Sequence, residues 1–336
     1  MSTIRDVARE ANVSTATVSR VLNNDKQYKI TEETKQRVIQ AAKRLNYAIP
    51  LRTTRHPGSE IPSSRRIGCI LSVTRKKFND PYFMAILSGA EERLREKGYD
   101  ISFIKTGAEL SDRDCLLQTF QEDIAGLILM ETLDAQIYHY ISRRVPYIVG
   151  IDTQVTDIDN VAYDHHQVGF QATQHLIDAG HKKIGYIGGS GDTKQIRKSQ
   201  RYQGYYMAMM NADLPVNEKW VIDCEWDDDI CIEKVDALCK DQDIPTAFFV
   251  GSDLMALATI NALSHNGLSV PRDVAVMGMT DLELAKLSTP SLTTMHIPMD
   301  EIGVVAADLL ISRITGKKLL PQKVILPATL VQRDSV

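Results

Sequence analysis

Residues 3–23 read TIRDVAREANVSTATVSRVLN, and the spacing within this stretch predicts two short helices joined by a tight turn. Thr3 and Asp6 have the spacing of a capping box, so the first helix is predicted to begin just after Thr3. Asn12 tolerates the left-handed backbone that a tight turn requires. Ser14 then suits the cap of a second helix. Apolar residues recur three or four positions apart in both helices, so the two helices are expected to pack together.

A third helix is predicted after Thr31, because acidic residues follow it and suit the positive end of a helix dipole. Three short helices in this order are typical of the helix-turn-helix unit, whose second helix enters the major groove of DNA. Arginine suits a bidentate contact with guanine, and Thr or Ala methyl groups can contact that of thymine. Residues 1–47 are therefore predicted to form an all-α DNA-binding domain; a three-helix bundle without a ligand is the alternative. The second helix presents these outward residues: Thr15, Ala16, Ser19 and Arg20.

The charge of the chain is unevenly distributed along it. Residues 1–58 hold eleven Lys and Arg against five Asp and Glu, a net charge of +6, whereas the rest holds 28 against 38, a net charge of −10. A basic N-terminal segment on an otherwise acidic chain is expected when only that segment binds a polyanion. A solvated basic face would give the same count, so the charge supports DNA binding without establishing it.

The same stretch resembles the DNA-binding head of the lac repressor (LacI/GalR) family. The family pattern I-x-D-V-A-x-x-A-x-V-S-x-x-T-V-S-R-V-L-N runs from Ile4 to Asn23, and TEETKQRVIQAAKRLNY at 31–47 extends the likeness. The resemblance implies that Thr15, Ala16 and Arg20 read bases. It places a second set where the family contacts phosphates or holds its helices: Thr3, Ser14, Thr17, Ser19 and Asn23.

Residues 48–64, AIPLRTTRHPGSEIPSS, are predicted to be a linker because they combine three prolines, a glycine and small polar residues. The family usually carries a short helix here that places a leucine in the minor groove. This sequence departs from that pattern, since His56 stands at the leucine position. Arg52 and Arg55 are still expected to enter a narrow minor groove.

From residue 66 onward, short apolar runs alternate with helical stretches. Buried parallel strands are typically such continuous apolar runs, and the alternation predicts two doubly wound α/β subdomains. Ligands of such sheets bind at the carboxyl ends of the strands. The predicted strands fall within residues 67–73, 99–106, 125–131, 146–152, 183–189, 246–253 and 274–279.

This body resembles the sensor domain of the same family, which is similar to a periplasmic sugar-binding protein. Shared stretches include NDPYF at 79–83, HLIDAGHKKIGYIGG at 175–189 and TPSLTTM at 289–295. The resemblance implies an effector-binding and dimerisation domain over 65–336 whose chain passes between subdomains near residues 162, 292 and 324. The N-subdomain is thus expected at 65–162 and 293–324, and the C-subdomain at 163–292 and 325–336.

The resemblance also places effector-binding residues at strand ends and loops. Asp152, Arg201 and Asp253 match cleft positions; carboxylates accept from vicinal hydroxyls and arginine donates to sugar oxygens. The aromatic residues Tyr82, Phe83 and Trp226 would supply a flat apolar face. A helix cap or turn is the alternative role for each aspartate. The implied effector is a mono- or disaccharide. The last predicted contacts are Thr280, where many members carry an acid or Asn, and Asp281.

Other functional classes find little support. No nucleophile elbow or nucleophile with an obvious base is present, so no catalytic residue and no enzyme activity are expected. His165–His166 and Asp157/Asp159 lack a third partner at metal-ligand spacing, so they are predicted to lie in solvated loops, with no metal and no cofactor. The five cysteines are predicted to be small buried hydrophobes.

The sequence predicts a repressor of carbohydrate-utilisation genes, controlled by its bound sugar. NDPYF and the unusual linker are similar to regulators of galactose and β-galactoside use. The N-terminus lacks the apolar run of a signal peptide, and no stretch approaches a membrane span, so a cytoplasmic protein is expected. A homodimer on pseudo-palindromic operator DNA is predicted, without an apolar heptad tail for a tetramer. The alternatives are a partner- or co-repressor-dependent regulator, of the catabolite-control or nucleobase type, and a sugar-transport protein.

Overall fold

The computed structural model describes residues 3–22, 30–45, 64–73, 80–191, 194–241, 243–317 and 320–336. The head contains three helices: α1 (Ile4–Glu10), α2 (Thr15–Leu22) and α3 (Glu32–Arg44). Their apolar faces meet in one small core, which confirms the predicted packing. The buried residues of this core are Val7, Ala8, Ala11, Val18, Val21, Val38, Ala41 and Ala42.

The local signals that predicted the first two helices are all present in the structure. The Asp6 carboxylate accepts hydrogen bonds from the Thr3 N–H (2.8 Å) and the Thr3 hydroxyl (2.7 Å). Asn12 adopts a φ of 52° in the turn. The Ser14 hydroxyl accepts from the Thr17 N–H at 3.0 Å and so caps α2. These contacts fix the angle at which α2 leaves α1.

The body contains two six-stranded sheets. The first has the order β11-β5-β4-β3-β1-β2, and all of its neighbouring strands are parallel. β3 and β4 in the middle of this sheet are buried along their whole length, which explains their continuous apolar runs. The strands of this N-subdomain sheet are β1 (Arg66–Leu71), β2 (Asp100–Thr106), β3 (Gly126–Met130), β4 (Ile148–Ile151), β5 (Asp159–Tyr163) and β11 (Lys323–Leu326).

The second sheet has the order β12-β10-β9-β8-β6-β7. Its last strand in sequence pairs antiparallel with β10, whereas its other neighbours are parallel. The strands of this C-subdomain sheet are β6 (Ile184–Gly188), β7 (Val221–Asp223), β8 (Ala247–Val250), β9 (Ala275–Thr280), β10 (Thr293–His296) and β12 (Thr329–Val331).

Helices cover both faces of each sheet, as the doubly wound prediction requires. One hydrophobic core is continuous from the N-subdomain to the C-subdomain, and the outer face of each sheet has a separate core. The body helices are α4 (Pro81–Glu96), α5 (Gly107–Leu110), α6 (Arg113–Thr119), α7 (Ala135–Ser142), α8 (His165–Asp178), α9 (Gln200–Asn211), α10 (Asp228–Lys240), α11 (Asp253–His265), α12 (Glu283–Leu287) and α13 (Met299–Ile314).

The chain passes between the two sheets three times, but two passages differ from the predicted positions. Thr293–His296 pair with β9, so this strand belongs to the C-subdomain and the second passage follows residue 296 rather than 292. Ile325 and Leu326 still pair with β5, so the third passage follows residue 326 rather than 324. The first passage follows Tyr163, the last residue of β5.

Two predictions of solvated loops were wrong. Asp159 is buried, and Arg313 on α13 donates two 2.6 Å hydrogen bonds to its carboxylate. This pair fastens α13 to β5 because a bidentate arginine–carboxylate contact fixes both groups in orientation. His165 is also largely enclosed, with a side chain only 17% exposed.

Cys69, Cys224 and Cys231 are buried as predicted, while Cys115 and Cys239 are partly exposed. Among the described residues, no helix is both long and apolar enough to cross a bilayer.

Candidate nucleic-acid interface and ligand cleft

The outer face of α2 has the character that DNA reading requires. Thr15 and Ala16 are exposed, and Ser19 and Arg20 are partly exposed one turn further along. The short side chains leave the helix able to approach base edges closely, and Arg20 carries the guanidinium that a predicted bidentate contact with guanine requires. Thr3, Ser14 and Thr17 lie in the capping contacts at the starts of α1 and α2. Three further predicted DNA contacts, Asn23, Arg52 and Arg55, lie outside the described residues.

Asp152 is the centre of a polar cluster at the carboxyl end of the N-subdomain sheet. It follows β4 directly, with a φ of 54° that turns the chain sharply. The Tyr82 hydroxyl, at the start of α4, donates to Asp152 Oδ2 at 3.2 Å. His165 Nε2 lies 2.9 Å from Asp152 Oδ1. Burial lowers the pKa of His165 below its ordinary value, against the opposing effect of Asp152, so a neutral imidazole is expected at pH 7.

Arg201 extends this cluster from the C-subdomain. Its Nη2 donates to the hydroxyl of Tyr163 at 2.6 Å, and its guanidinium lies 4.7 Å from the centroid of the Trp226 ring. The Tyr163 ring in turn lies 4.0 Å from that of His165. Within the described part of the chain, no carboxylate comes within salt-bridge distance of Arg201. The buried cation is therefore stabilised by a hydroxyl and an aromatic face rather than by an ion pair.

Close packing of α8 against α9 fixes the position of Arg201. A Cβ atom at Gly169 would collide with the carbonyl oxygen of Arg201, and one at Gly204 would collide with that of His166. Only glycine permits these helices to approach so closely. Trp226 is fixed in a similar way, because its ring lies where a side chain at Gly189 would be.

Unusual backbone conformations gather at the strand ends that form the cleft. Such conformations cost on the order of 1–3 kcal/mol each and cluster at binding sites. Glu131 also faces this region, because it lines a narrow space with Tyr82 and Asp152. The described non-glycine residues with positive φ near strand ends are Glu131, Asp152, Glu225, Trp226, Thr280 and Asp281.

Two of the predicted ligand contacts, Asp253 and Asp281, have hydrogen-bond or ion-pair partners within the protein. Asp253 is fully buried, and its two oxygens accept hydrogen bonds from the Thr294 hydroxyl (2.6 Å) and the Leu282 N–H (2.8 Å). It therefore holds the end of β9 in place, and burial raises its pKa. Asp281 pairs with Arg333 at 2.5 Å and with His296 at 3.1 Å. Thr280 is buried beside them. Among the described residues, no ion pair or hydrogen bond joins Asp253, Thr280 or Asp281 to Arg201.

Comparison with known proteins identifies the two parts of the chain. Residues 3–49 match bacterial regulatory proteins of the lacI family, and residues 173–336 match a periplasmic binding protein-like domain. The HTH-type transcriptional repressor PurR of Photobacterium profundum is 32% identical over 94% of this chain and 93% of the relative. The chain belongs to the lacI family.

Other relatives and solved structures agree with this membership. The ribose operon repressor of Haemophilus influenzae (strain ATCC 51907 / DSM 11121 / KW20 / Rd) is 31% identical over 100% of this chain and 99% of its own. The structure described as transcriptional regulator CelR–cellobiose complex has a TM-score of 0.73 and 27% identity, covering 100% of both chains. The lac repressor dimer bound to operator and the anti-inducer ONPF shares the fold, with a TM-score of 0.67 and 23% identity over 99% and 98% of the two chains.

Membership of the lacI family confirms the predicted class: a DNA-binding transcription regulator rather than an enzyme. It also confirms the helix-turn-helix head and the two-part α/β sensor domain. The narrower likeness to regulators of galactose use stays a prediction.

Three residues of the cleft were not predicted from the sequence: Tyr163, His165 and Glu131. Tyr163 ends β5, whose sequence DNVAY lacks the apolar run that marked the other strands. His165 was assigned to a solvated loop because its partner, Asp152, is distant in sequence. Glu131 carried a usable signal, since it follows a buried strand directly, as Asp152 does.

Proposed function

We propose that this chain represses carbohydrate-utilisation genes and that a mono- or disaccharide bound between its two subdomains controls its affinity for operator DNA. The observation that carries this proposal is the polar and aromatic cluster of Tyr82, Asp152, Tyr163, Arg201 and Trp226, which draws on both subdomains. A ligand seated there would contact both sheets at once, so its binding would favour one arrangement of the subdomains over another.

The chemistry of the cleft suits a neutral polyhydroxyl ligand. Trp226 and the tyrosines supply flat apolar faces of the kind that stack on sugar rings, and Arg201 and Asp152 supply a donor and an acceptor for hydroxyl groups. The relatives include a ribose operon repressor and a regulator solved with cellobiose. A DNA-binding role also supports action in the cytoplasm, where bacterial DNA lies.

A thermal-shift panel of mono- and disaccharides tests the effector directly, with free nucleobases as the competing class because several relatives are named PurR. A ligand that binds only the folded state raises the melting temperature. We expect a sugar to stabilise the wild type, and the same sugar to have no effect on Arg201→Ala.

The matched control for this panel is Arg197→Ala, because Arg197 is a neighbouring exposed arginine that pairs with Glu218 outside the cleft. This variant should respond to the sugar as the wild type does. Stabilisation by nucleobases alone would contradict a sugar effector. Equal stabilisation of the wild type and Arg201→Ala would remove Arg201 from the site.

We also propose that the protein acts as a homodimer through its sensor domain. One helix-turn-helix head contacts a single half-site, and such heads reach useful affinity in pairs. The sensor domain exposes large apolar side chains on α12, where Leu284 is 47% and Leu287 is 72% exposed. A two-fold dimer would present two heads related by symmetry, so the DNA sequence that it selects should be an inverted repeat.

A further inference from the structure

Tyr163 makes a direct contact across the two subdomains. It is the last residue of β5 in the N-subdomain and its side chain is fully enclosed. Its hydroxyl accepts a 2.6 Å hydrogen bond from Nη2 of Arg201, which lies in the first turn of α9 in the C-subdomain. A hydrogen bond from a charged donor is stronger than one between neutral groups, and burial strengthens it further.

The ring of Tyr163 is held from its other side. It lies against the His165 imidazole, with the ring centroids 4.0 Å apart and the planes inclined by 38°. His165 is bound to Asp152, and Asp152 accepts in turn from Tyr82. The position of the Tyr163 hydroxyl is therefore fixed, because its ring packs on His165, His165 is bound to Asp152, and Asp152 is bound to Tyr82.

Arg201 itself is left with an unused donor. Its Nε is buried and has no hydrogen-bond partner among the described residues, although Nη2 is bound to Tyr163. An unpaired buried donor is costly, so natural proteins seldom retain one without a use for it. The guanidinium lies over Trp226, so this Nε–H belongs to the same cleft.

We propose that Tyr163 is a positioning residue that sets the ligand specificity of the cleft by orienting Arg201. The Tyr163 hydroxyl accepts the hydrogen bond from Nη2 of Arg201 and so fixes the guanidinium. In this orientation the Nε–H of Arg201 can donate to an acceptor oxygen of the ligand, either a hydroxyl or a ring oxygen. A ligand without an acceptor at that place would leave the donor unpaired and bind weakly. This inference rests on the proposed function only in that the cleft binds a small oxygen-bearing molecule.

The test uses the full chain without ligand, labelled with 5-fluorotryptophan. The chain has two tryptophans, so fluorine NMR gives one resonance from Trp226 and one from Trp220, which hydrogen bonds to Asp243 away from the cleft. In Tyr163→Phe, Arg201 loses its acceptor and its place over Trp226. The Trp226 resonance should shift by more than its linewidth, while the Trp220 resonance stays in place. An unmoved Trp226 resonance would overturn the proposal.

Tyr205→Phe is the matched control, because the Tyr205 hydroxyl is also buried but donates to the carbonyl of Ile184. It should leave both resonances unchanged, and a Trp226 shift equal to that of Tyr163→Phe would show a general packing effect. In an Arg201→Ala background, Tyr163→Phe should shift Trp226 no further. A further shift would show that Tyr163 does not act through Arg201.

Sugar binding adds an independent readout. For a sugar that stabilises the wild type in the thermal-shift panel, Tyr163→Phe should raise the Kd about tenfold, as expected when a charged hydrogen-bonding group is no longer held in place. An unchanged Kd would contradict the link to ligand binding. If no sugar binds, the proposed effector fails, and the ligand-free NMR comparison still decides whether Tyr163 positions Arg201.

Discussion

His165 shows how much one buried side chain can depend on contacts across the sensor domain. Its ring lies between the Asp152 carboxylate and the ring of Tyr163, and it is almost enclosed. Burial lowers its pKa in the folded protein because a charged imidazole is poorly solvated there. The unfolded chain, in which the imidazole is hydrated, binds a proton more readily. The folded state is therefore favoured where His165 is neutral.

The sign of the resulting pH dependence follows from this difference. The contribution of neutral His165 to the free energy of unfolding is fully present above the ordinary histidine pKa of about 6.5. This contribution is lost as the pH falls below that value. We expect the free energy of unfolding of the wild type to fall between pH 7 and 5 more steeply than that of His165→Gln, by at most about 1.4 kcal/mol per pH unit. Urea denaturation at each pH measures both slopes.

Identical slopes for the wild type and His165→Gln would contradict the buried neutral state of His165.

At this scale the sequence was only partly informative. Asp152, Tyr82, Arg201 and Trp226 were predicted, and the structure brings them together. Tyr163 was missed because its importance depends on a contact 38 residues away along the chain. Asp253 was predicted to contact the ligand, and the structure shows both of its oxygens accepting hydrogen bonds within the protein. A strand-end carboxylate can serve either a ligand or the protein, and sequence alone does not distinguish these roles.

At the scale of elements, the crossing of α8 and α9 determines where the cleft residues lie. His165 and Arg201 stand in the first turns of these two helices, whose backbones meet at Gly169 and Gly204. The N-subdomain repeats the arrangement, since a side chain at Gly89 or Gly303 would collide with the backbone of the facing helix. Close helix contact therefore supports both subdomains near the cleft.

Gly204→Ala should destabilise the protein, because the added methyl group would collide with the carbonyl of His166. Forcing a side chain into a packed interface costs about 1–3 kcal/mol. Met207→Ala is the control on the same helix, since its side chain is 46% exposed and such changes usually stay within about 0.5 kcal/mol. Chemical denaturation compares the two variants, and a wild-type stability for Gly204→Ala would contradict the close crossing.

Helices and strands with a clear sequence pattern were predicted, and the shortest strands were not. The head helices followed from capping residues and apolar spacing, and long buried strands followed from continuous apolar runs. Short strands were missed, among them β7 with three residues and β12 with three. The strand Thr293–His296 was given to the wrong subdomain because its sequence, TTMH, does not reveal which sheet it joins. Pairing partners are properties of the folded chain.

At the scale of the whole molecule, the two parts of the chain carry net charges of opposite sign. The first 58 residues carry +6 and the rest carries −10, so DNA attracts the head and repels the body. The sensor domain can therefore influence DNA binding by placing the heads rather than by holding DNA itself.

Selection of binding sites from a random duplex DNA library tests most directly whether this chain reads DNA sequence through its head. The wild type should enrich one motif arranged as an inverted repeat, because two heads would read symmetric half-sites. Arg20→Ala should retain non-specific binding and enrich that motif about 5- to 160-fold less, since a bidentate contact with guanine supplies about 1–3 kcal/mol of discrimination. No enriched motif with the wild type, or equal enrichment by both proteins, would contradict the account.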